Sequence, residues 1–192
     1  DYDGTLADTS SLHEQAFFEI FNSFNLEINY CDIAGMKTYD AIKYILTKNK
    51  IYISHDELKI LSSKKQDIMK ELINKFIKPI NGVNQFLNWA RNKFQLSIAS
   101  SGSRSNVLLG LEKLGFINFF NHIICSEDVT LAKPNPEIFL KVLSLSRISA
   151  KNSIIFEDSN TGIEAAKLSN IDFIDIRDIS FNELLNKYSP NE

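Results

Sequence analysis

Cysteine is nearly absent: Cys31 and Cys125 are the only two in 192 residues, and they lie far apart. A disulfide framework in a chain this size needs more than that, so a reducing, cytosolic setting is expected. Cys125 ends the apolar run HIIC and reads as a small core residue. No apolar stretch is long enough to span a membrane and no signal peptide is visible, so no membrane association is expected. Basic runs are missing as well: Lys64-Lys65 is too short to count, and the net charge is −3. That balance argues against nucleic acid or an anionic membrane as the main partner. Internal repeats and low-complexity tracts are also lacking. What remains is a chain with 44% hydrophobic residues and 14 Phe, enough to bury one ordinary domain, or a domain plus an insert.

Two textures follow one another. Residues 10–24 carry Leu12, Ala16, Phe17, Ile20 and Phe21 at helical spacing, and residues 39–48 repeat the pattern with Ile42, Ile45 and Leu46. Ser54 and Glu57 form a capping box that opens a long helix to about Phe76. Gly35 marks a break, and Pro79-Ile80-Asn81-Gly82 is a turn signal before a helix over 83–93. From there short apolar strands at 95–100, 122–125, 153–157 and 171–176 alternate with helices at 104–114, 137–146 and 162–168. A second capping box, Ser180 and Glu183, opens a last short helix. Strands alternating with helices imply a Rossmann-like α/β core with a parallel sheet, whose ligands sit at the carboxyl ends of the strands.

Four short motifs carry the chemistry. The chain starts DYDGTLADT, with Asp1 and Asp3 one residue apart before a Gly-Thr turn. An apolar strand ends in the hydroxyl of Ser100 (LSIASSGS), Lys133 lies in KPNP, and a second strand ends in the acidic pair Glu157-Asp158 (IIFEDSNTG). Asp1, Asp3, Glu157 and Asp158 would converge at one end of the sheet, and so many carboxylates cannot share a dry pocket while ionised without a cation. Mg²⁺ suits such a site, because it takes one or two carboxylates and accepts phosphate oxygens as well.

This ordered series resembles the haloacid dehalogenase superfamily, from Asp1 to about Asp178. Within it the chain looks like the branch that holds phosphoglycolate phosphatases and β-phosphoglucomutases. The resemblance implies that residues 1–9 and 82–192 form the catalytic core and residues 10–81 an all-helical cap. It implies Asp1 as nucleophile through an aspartyl-phosphate, and Asp3 as the acid that protonates the leaving oxygen and then deprotonates water. Asp1 and Asp158 would bind Mg²⁺ through carboxylates and Asp3 through its backbone carbonyl, with Glu157 acting through water. Lys133 would clamp the phosphoryl group, Ser100 would donate to it, and the turn at Ser101 and Gly102 would offer it backbone N–H groups. In the cap, His13 and Lys65 match substrate-contacting positions of β-phosphoglucomutase-like proteins. Thr38 stands where those mutases carry an arginine for a distal phosphate, and Lys37 beside it is no bidentate fork.

The expected function is therefore a Mg²⁺-dependent phosphatase acting on a small phosphorylated metabolite, a sugar phosphate or a phosphoglycolate-like acid. The alternatives are a hexose-phosphate mutase with the same nucleophile, and a non-catalytic binding protein on the same fold. A monomer is the family's default. In enzymes of this kind the catalytic acid follows a buried parallel strand, so the native protein is expected to carry several apolar residues before Asp1.

Overall fold

In the computed structural model, which describes residues 1–189, both textures appear where expected. The segment expected to form the cap holds α1 (Ser10–Phe21), α2 (Thr38–Lys48) and α3 (His55–Phe76). The core runs α4 (Val83–Ala90), β1 (Ser97–Ala99), α5 (Arg104–Lys113), β2 (His122–Ile124) and α6 (Glu137–Ser146). It continues with β3 (Ile154–Glu157), α7 (Asn160–Ser169), β4 (Asp172–Asp175) and α8 (Phe181–Tyr188). Among the described residues no helix is long and apolar enough to cross a membrane.

Local chemistry sets the ends of these elements. Ser54 Oγ accepts from the Glu57 amide at 3.2 Å while Glu57 Oε2 accepts from the Ser54 amide at 2.8 Å, so two orphan donors at the start of α3 are satisfied at once. Ser180 and Glu183 repeat the arrangement at α8. Helix α5 ends in a Schellman motif: Gly115 takes φ +75, Phe116 N reaches Leu111 O, and Gly115 N reaches Glu112 O. Two helices stop short of the expectation. After Phe21 the chain tightens into a 3-10 turn (Asn22–Phe24) and Asn25 turns left-handed at φ 51. After α4 the amides of Lys93 and Phe94 both return to Ala90 O, which closes the helix three residues early.

The cap has its own core of Phe17, Ile20, Phe21, Ile42, Ile45 and Leu58. A second cluster, Leu12, Ala16, Met69, Leu72 and Ile73, packs α1 on α3 and touches Leu109, so this helical segment rests on α5. Burying each such side chain stabilises by about 1.5–3 kcal/mol.

The parallel core is built as two pairs, where the strand spacing alone had implied one sheet. β1 pairs with β2 (Ile98 opposite Ile123) and β3 with β4 (Phe156 opposite Ile174), both parallel. An apolar cavity of about 410 Å³ is lined by both pairs, with Ser97 and Ala99 of β1 and Ile154, Ile155 and Phe156 of β3 among its walls. Ser100 and Glu157-Asp158 nevertheless sit at the carboxyl ends of β1 and β3. Asp1 joins them because its nitrogen donates to Phe156 O at 2.8 Å.

Candidate active site

The turn after Asp1 is shaped by its glycine. Leu6 N and Ala7 N both donate to Tyr2 O, and Gly4 takes φ +75. A Cβ on Gly4 would lie 2.1 Å from Asp158 Oδ2, so the turn tolerates no side chain there. This approach brings carboxylate oxygens of Asp1, Glu157 and Asp158 within 4.8 Å of one another.

Each member of the cluster is held differently. Thr5, fully buried, donates its hydroxyl to Asp158 Oδ1 at 3.0 Å. Burial, and then the charge of Glu157, push the Asp158 carboxyl up to about 6. Glu157 is also fully buried. Burial alone would raise its carboxyl, but the Lys133 ammonium holds it below the usual range. Glu157 Oε2 accepts from the amides of Asp158 and Ser159 at 3.0 and 3.1 Å. Glu157 is thus already bonded on both oxygens, as suits a residue acting at one remove. Lys133 spends its three protons on Asp1 Oδ1 at 2.8 Å, Ala99 O at 3.0 Å and Glu157 Oε1. A further acceptor could be bound by Lys133 only if one of these bonds were exchanged. Three carboxylates face a single ammonium, and Asp158 is strained by its neighbour. An all-oxygen set of this kind fits Mg²⁺.

Asp3 is turned away from that cluster. Its Oδ1 accepts from Thr9 Oγ1 at 2.8 Å and from His13 Nε2 at 3.2 Å, and its Oδ2 lies 3.4 Å from Ser100 Oγ. A role for Asp3 in metal binding is left to its backbone carbonyl. His13 Nδ1 lies 2.6 Å from Lys65 Nζ, so the network assigns a one-way chain. Lys65 donates to His13, and His13 donates to Asp3. Lys65 is buried on α3, 4.8 Å from the Phe17 ring centroid. Burial pulls its ammonium down to about 7 against the partial opposition of Asp3. Burial and then Lys65 lower His13 as well. Burial would raise Asp3, but the charge and hydrogen bond of His13 and the bond from Thr9 hold it below its ordinary value.

The cleft over the cluster is small, about 60 Å³, and is lined by Asp1, Asp3, Ser101, Gly102, Thr38 and Lys65 among others. Cap and core are latched around it. Lys37 Nζ donates to Val129 O at 2.8 Å, and Thr161 Oγ1 donates to Ala34 O at 3.5 Å. Gln66 donates to Thr38 Oγ1 at 3.0 Å and accepts from Ser103 and Asn106 at 2.9 and 2.6 Å.

The expected residues therefore come together about the cleft. Ser100 lies fully buried below the cleft, accepting from Gly102 N at 2.9 Å, and the cleft wall is made by Ser101 and Gly102 instead. His13 and Lys65 bond each other and both line the cleft, beside which each had been expected. Glu157 anchors Lys133. Thr9 and Gln66 had no place in the sequence reading. Thr9, one helical turn before His13, carried a signal in its spacing; Gln66 carried none, because its partners lie 28, 37 and 40 residues away.

The chain as a whole is similar to known proteins. The chain is 27% identical over 178 residues to the phosphorylated carbohydrates phosphatase of Thermotoga maritima, covering 91% of this chain and 81% of that one. It is 23% identical over 181 residues to the fructose-1-phosphate phosphatase YqaB of Escherichia coli, covering 92% and 94%. Its fold superposes on the crystal structure of β-phosphoglucomutase from Clostridium difficile with a TM-score of 0.84 at 22% identity, over 98% and 94% of the two chains. The family model for haloacid dehalogenase-like hydrolases matches residues 1–176, and the chain belongs to that family of enzymes.

Proposed function

We propose that the protein is a Mg²⁺-dependent phosphatase that hydrolyses a small sugar phosphate by way of an aspartyl-phosphate on Asp1. The observation that carries this reading is the division of labour between two aspartates two residues apart. Asp1 is held in the acidic cluster by Lys133, while Asp3 is held outside it by Thr9 and His13.

The chemistry follows from those contacts. Lys133 fixes one oxygen of Asp1, a residue that lines the cleft, and the other oxygen would be the attacking one. Asp1 attacks phosphorus, the ester P–O bond breaks, and the leaving oxygen takes its proton from Asp3. Asp3 rests as a carboxylate; the approach of a phosphate dianion reverses the balance that keeps it ionised, and it gains the proton it then donates. In the second step Asp3 takes a proton from water. That water attacks phosphorus, phosphate leaves, and Asp1 is regenerated. Mg²⁺, held by Asp1, Asp158 and the Asp3 carbonyl, would neutralise phosphate charge. Ser101 and Gly102 line the same cleft, and the Ser101 N–H suits a phosphoryl oxygen there, the Gly102 N–H being taken by Ser100 Oγ.

The closed cleft supports a small substrate and a cap that opens to admit it. The activities named for the two relatives above favour a phosphorylated carbohydrate. A mutase must hold a second phosphate in the cap. Here Lys37 is turned to Val129 O and Lys65 is committed to His13, which favours hydrolysis over transfer. The testing experiment is phosphate release, with and without Mg²⁺, across a panel of small phosphate esters. The panel includes β-glucose 1-phosphate with a trace of the 1,6-bisphosphate, read for glucose 6-phosphate. Mg²⁺-dependent release supports the phosphatase; isomerisation without release supports the mutase; neither, from folded protein, overturns both.

A further inference from the structure

One aromatic side chain at the acidic cleft belongs neither to the cluster nor to the chain of bonds behind Asp3. Tyr30 lines the cleft with Asp3, His13 and Asp158. It opens a 3-10 turn (Tyr30–Asp32) in the connection between α1 and α2. Asn29 Oδ1 accepts from Cys31 N at 3.1 Å, and the amides of Ile33 and Ala34 both return to Tyr30 O at 3.0 Å, so the turn is bonded at both ends. Just beyond it Gly35, at φ +80, seats the loop on the core: a Cβ there would lie 2.3 Å from Thr161 Oγ1. Aromatic neighbours place the ring itself. It stacks on His13 with centroids 6.0 Å and planes 17° apart, and it meets Phe17 at 6.4 Å and 38°. The hydroxyl has no hydrogen-bond partner among the described residues, and unlike that of Tyr2 it is not sealed from solvent. Burial, and then the charges of Asp3 and Asp158, push the phenol further up, so it keeps its proton and can donate it to a hydrogen bond.

We propose that the Tyr30 hydroxyl donates to a hydroxyl oxygen of the leaving group, and so selects sugar and polyol phosphates over esters whose leaving group is an anion. The inference rests on the phosphatase reading above and adds to it the residue that reads the sugar. Two observations set the partner. The first is place. His13, on which Tyr30 stacks, lies 3.2 Å from Asp3 Oδ1, so the phenol stands on the side where the leaving oxygen would take its proton. The second is charge. Asp3 and Asp158 both act on the phenol, so a carboxylate bonded to it would meet two like charges. No ammonium in the cleft wall is free to offset them: Lys133 is spent on Asp1, Ala99 O and Glu157, and Lys65 is buried against His13. A neutral hydroxyl oxygen meets no such repulsion and accepts the bond. The selection also has a penalty built in. With only about 60 Å³ in the closed cleft, a leaving group that lacks the hydroxyl would exclude water from the phenol and leave its donor unpaired.

The test is kcat/KM for wild type and Tyr30→Phe, a change that keeps the ring and its stacking and removes only the hydroxyl. Fructose 1-phosphate, glucose 6-phosphate and ribose 5-phosphate are compared with phenyl phosphate, whose leaving group has no further hydroxyl, and with 2-phosphoglycolate. Phosphate release by the wild type decides the phosphatase reading by itself. The proposal expects the wild type to prefer at least one of the sugar phosphates to 2-phosphoglycolate. It expects Tyr30→Phe to lower the ratio of kcat/KM for that sugar phosphate to kcat/KM for phenyl phosphate by about tenfold, the worth of one neutral hydrogen bond. A ratio that does not move overturns the proposal and leaves the phosphatase standing; if both esters lose equally, the hydroxyl serves the phosphoryl group that they share. Preference of the wild type for 2-phosphoglycolate over all three sugar phosphates also overturns it. Release from none of the esters overturns both readings together.

Discussion

Lys65→Met isolates the energetic cost of the relay behind Asp3. The Lys65 ammonium is buried 4.8 Å from the Phe17 ring centroid and is pulled down to about 7, from an ordinary value of 10.5. Because the folded value is the lower one, the unfolded chain holds more protons between the two, and wild-type stability rises with pH through that window. From pH 9 down to pH 7 the wild type loses about 2 kcal/mol on this account, at about 1.4 kcal/mol per unit. Methionine has a similar stem and no charge, so the variant does not share that loss. The stability advantage of Lys65→Met therefore widens by about 2 kcal/mol between pH 9 and pH 7, which is about 4–8 °C in melting midpoint for a chain of this length. His13, itself lowered, is neutral across this window and does not blur the comparison. Melting curves of both proteins at pH 7, 8 and 9 test the sign and the slope. A difference in midpoint that does not change with pH refutes the buried-ammonium reasoning. The same variant loses the donor that orients His13, and kcat is expected to fall by about tenfold or more, within what general acid–base catalysis contributes.

Other perturbations separate the remaining roles. Asp3→Asn keeps the turn but holds no transferable proton, so rapid-quench kinetics should show formation and breakdown of the phospho-enzyme both slowed by about 10²–10⁴-fold; one step unchanged would remove Asp3 from it. Lys37→Ala removes the bond to Val129 O that latches cap to core. The open–closed balance, read by energy transfer between dyes on cap and core, should move toward open by about tenfold, the worth of one charge-assisted bond. Gly4→Ala meets Asp158 Oδ2 and a positive φ together. Its midpoint should fall by the equivalent of about 1–3 kcal/mol, and Mg²⁺ affinity by calorimetry should weaken with it.

What was legible in the sequence was mostly local. The capping boxes at Ser54 and Ser180 need only a serine and a glutamate three residues apart, and both formed. The acidic cluster was legible because parallel strands deliver their carboxyl ends to one edge, and Asp1, Glu157 and Asp158 meet there. The partnership of Lys65 with His13 was not legible. Each was placed near the cleft, but their bond spans 52 residues and depends on how α3 packs on α1. Ser100 went below the cleft because the turn through Ser101 and Gly102 folds over it and Gly102 N claims its hydroxyl. The overlong α1 was a matter of propensity: Asn22–Phe24 continue the apolar pattern, yet Asn25 adopts a left-handed conformation that ends the run.

The central claim is that Asp1 carries the phosphoryl group, and borohydride trapping tests it most directly. The reagent reduces an acyl phosphate to an alcohol, so an aspartyl-phosphate becomes homoserine. Protein quenched during turnover with Mg²⁺ and an accepted ester should yield homoserine at position 1 on peptide mass analysis, and none without substrate or in Asp1→Asn. Undiminished turnover with no reduced residue, or reduction at a different carboxylate, would contradict the account.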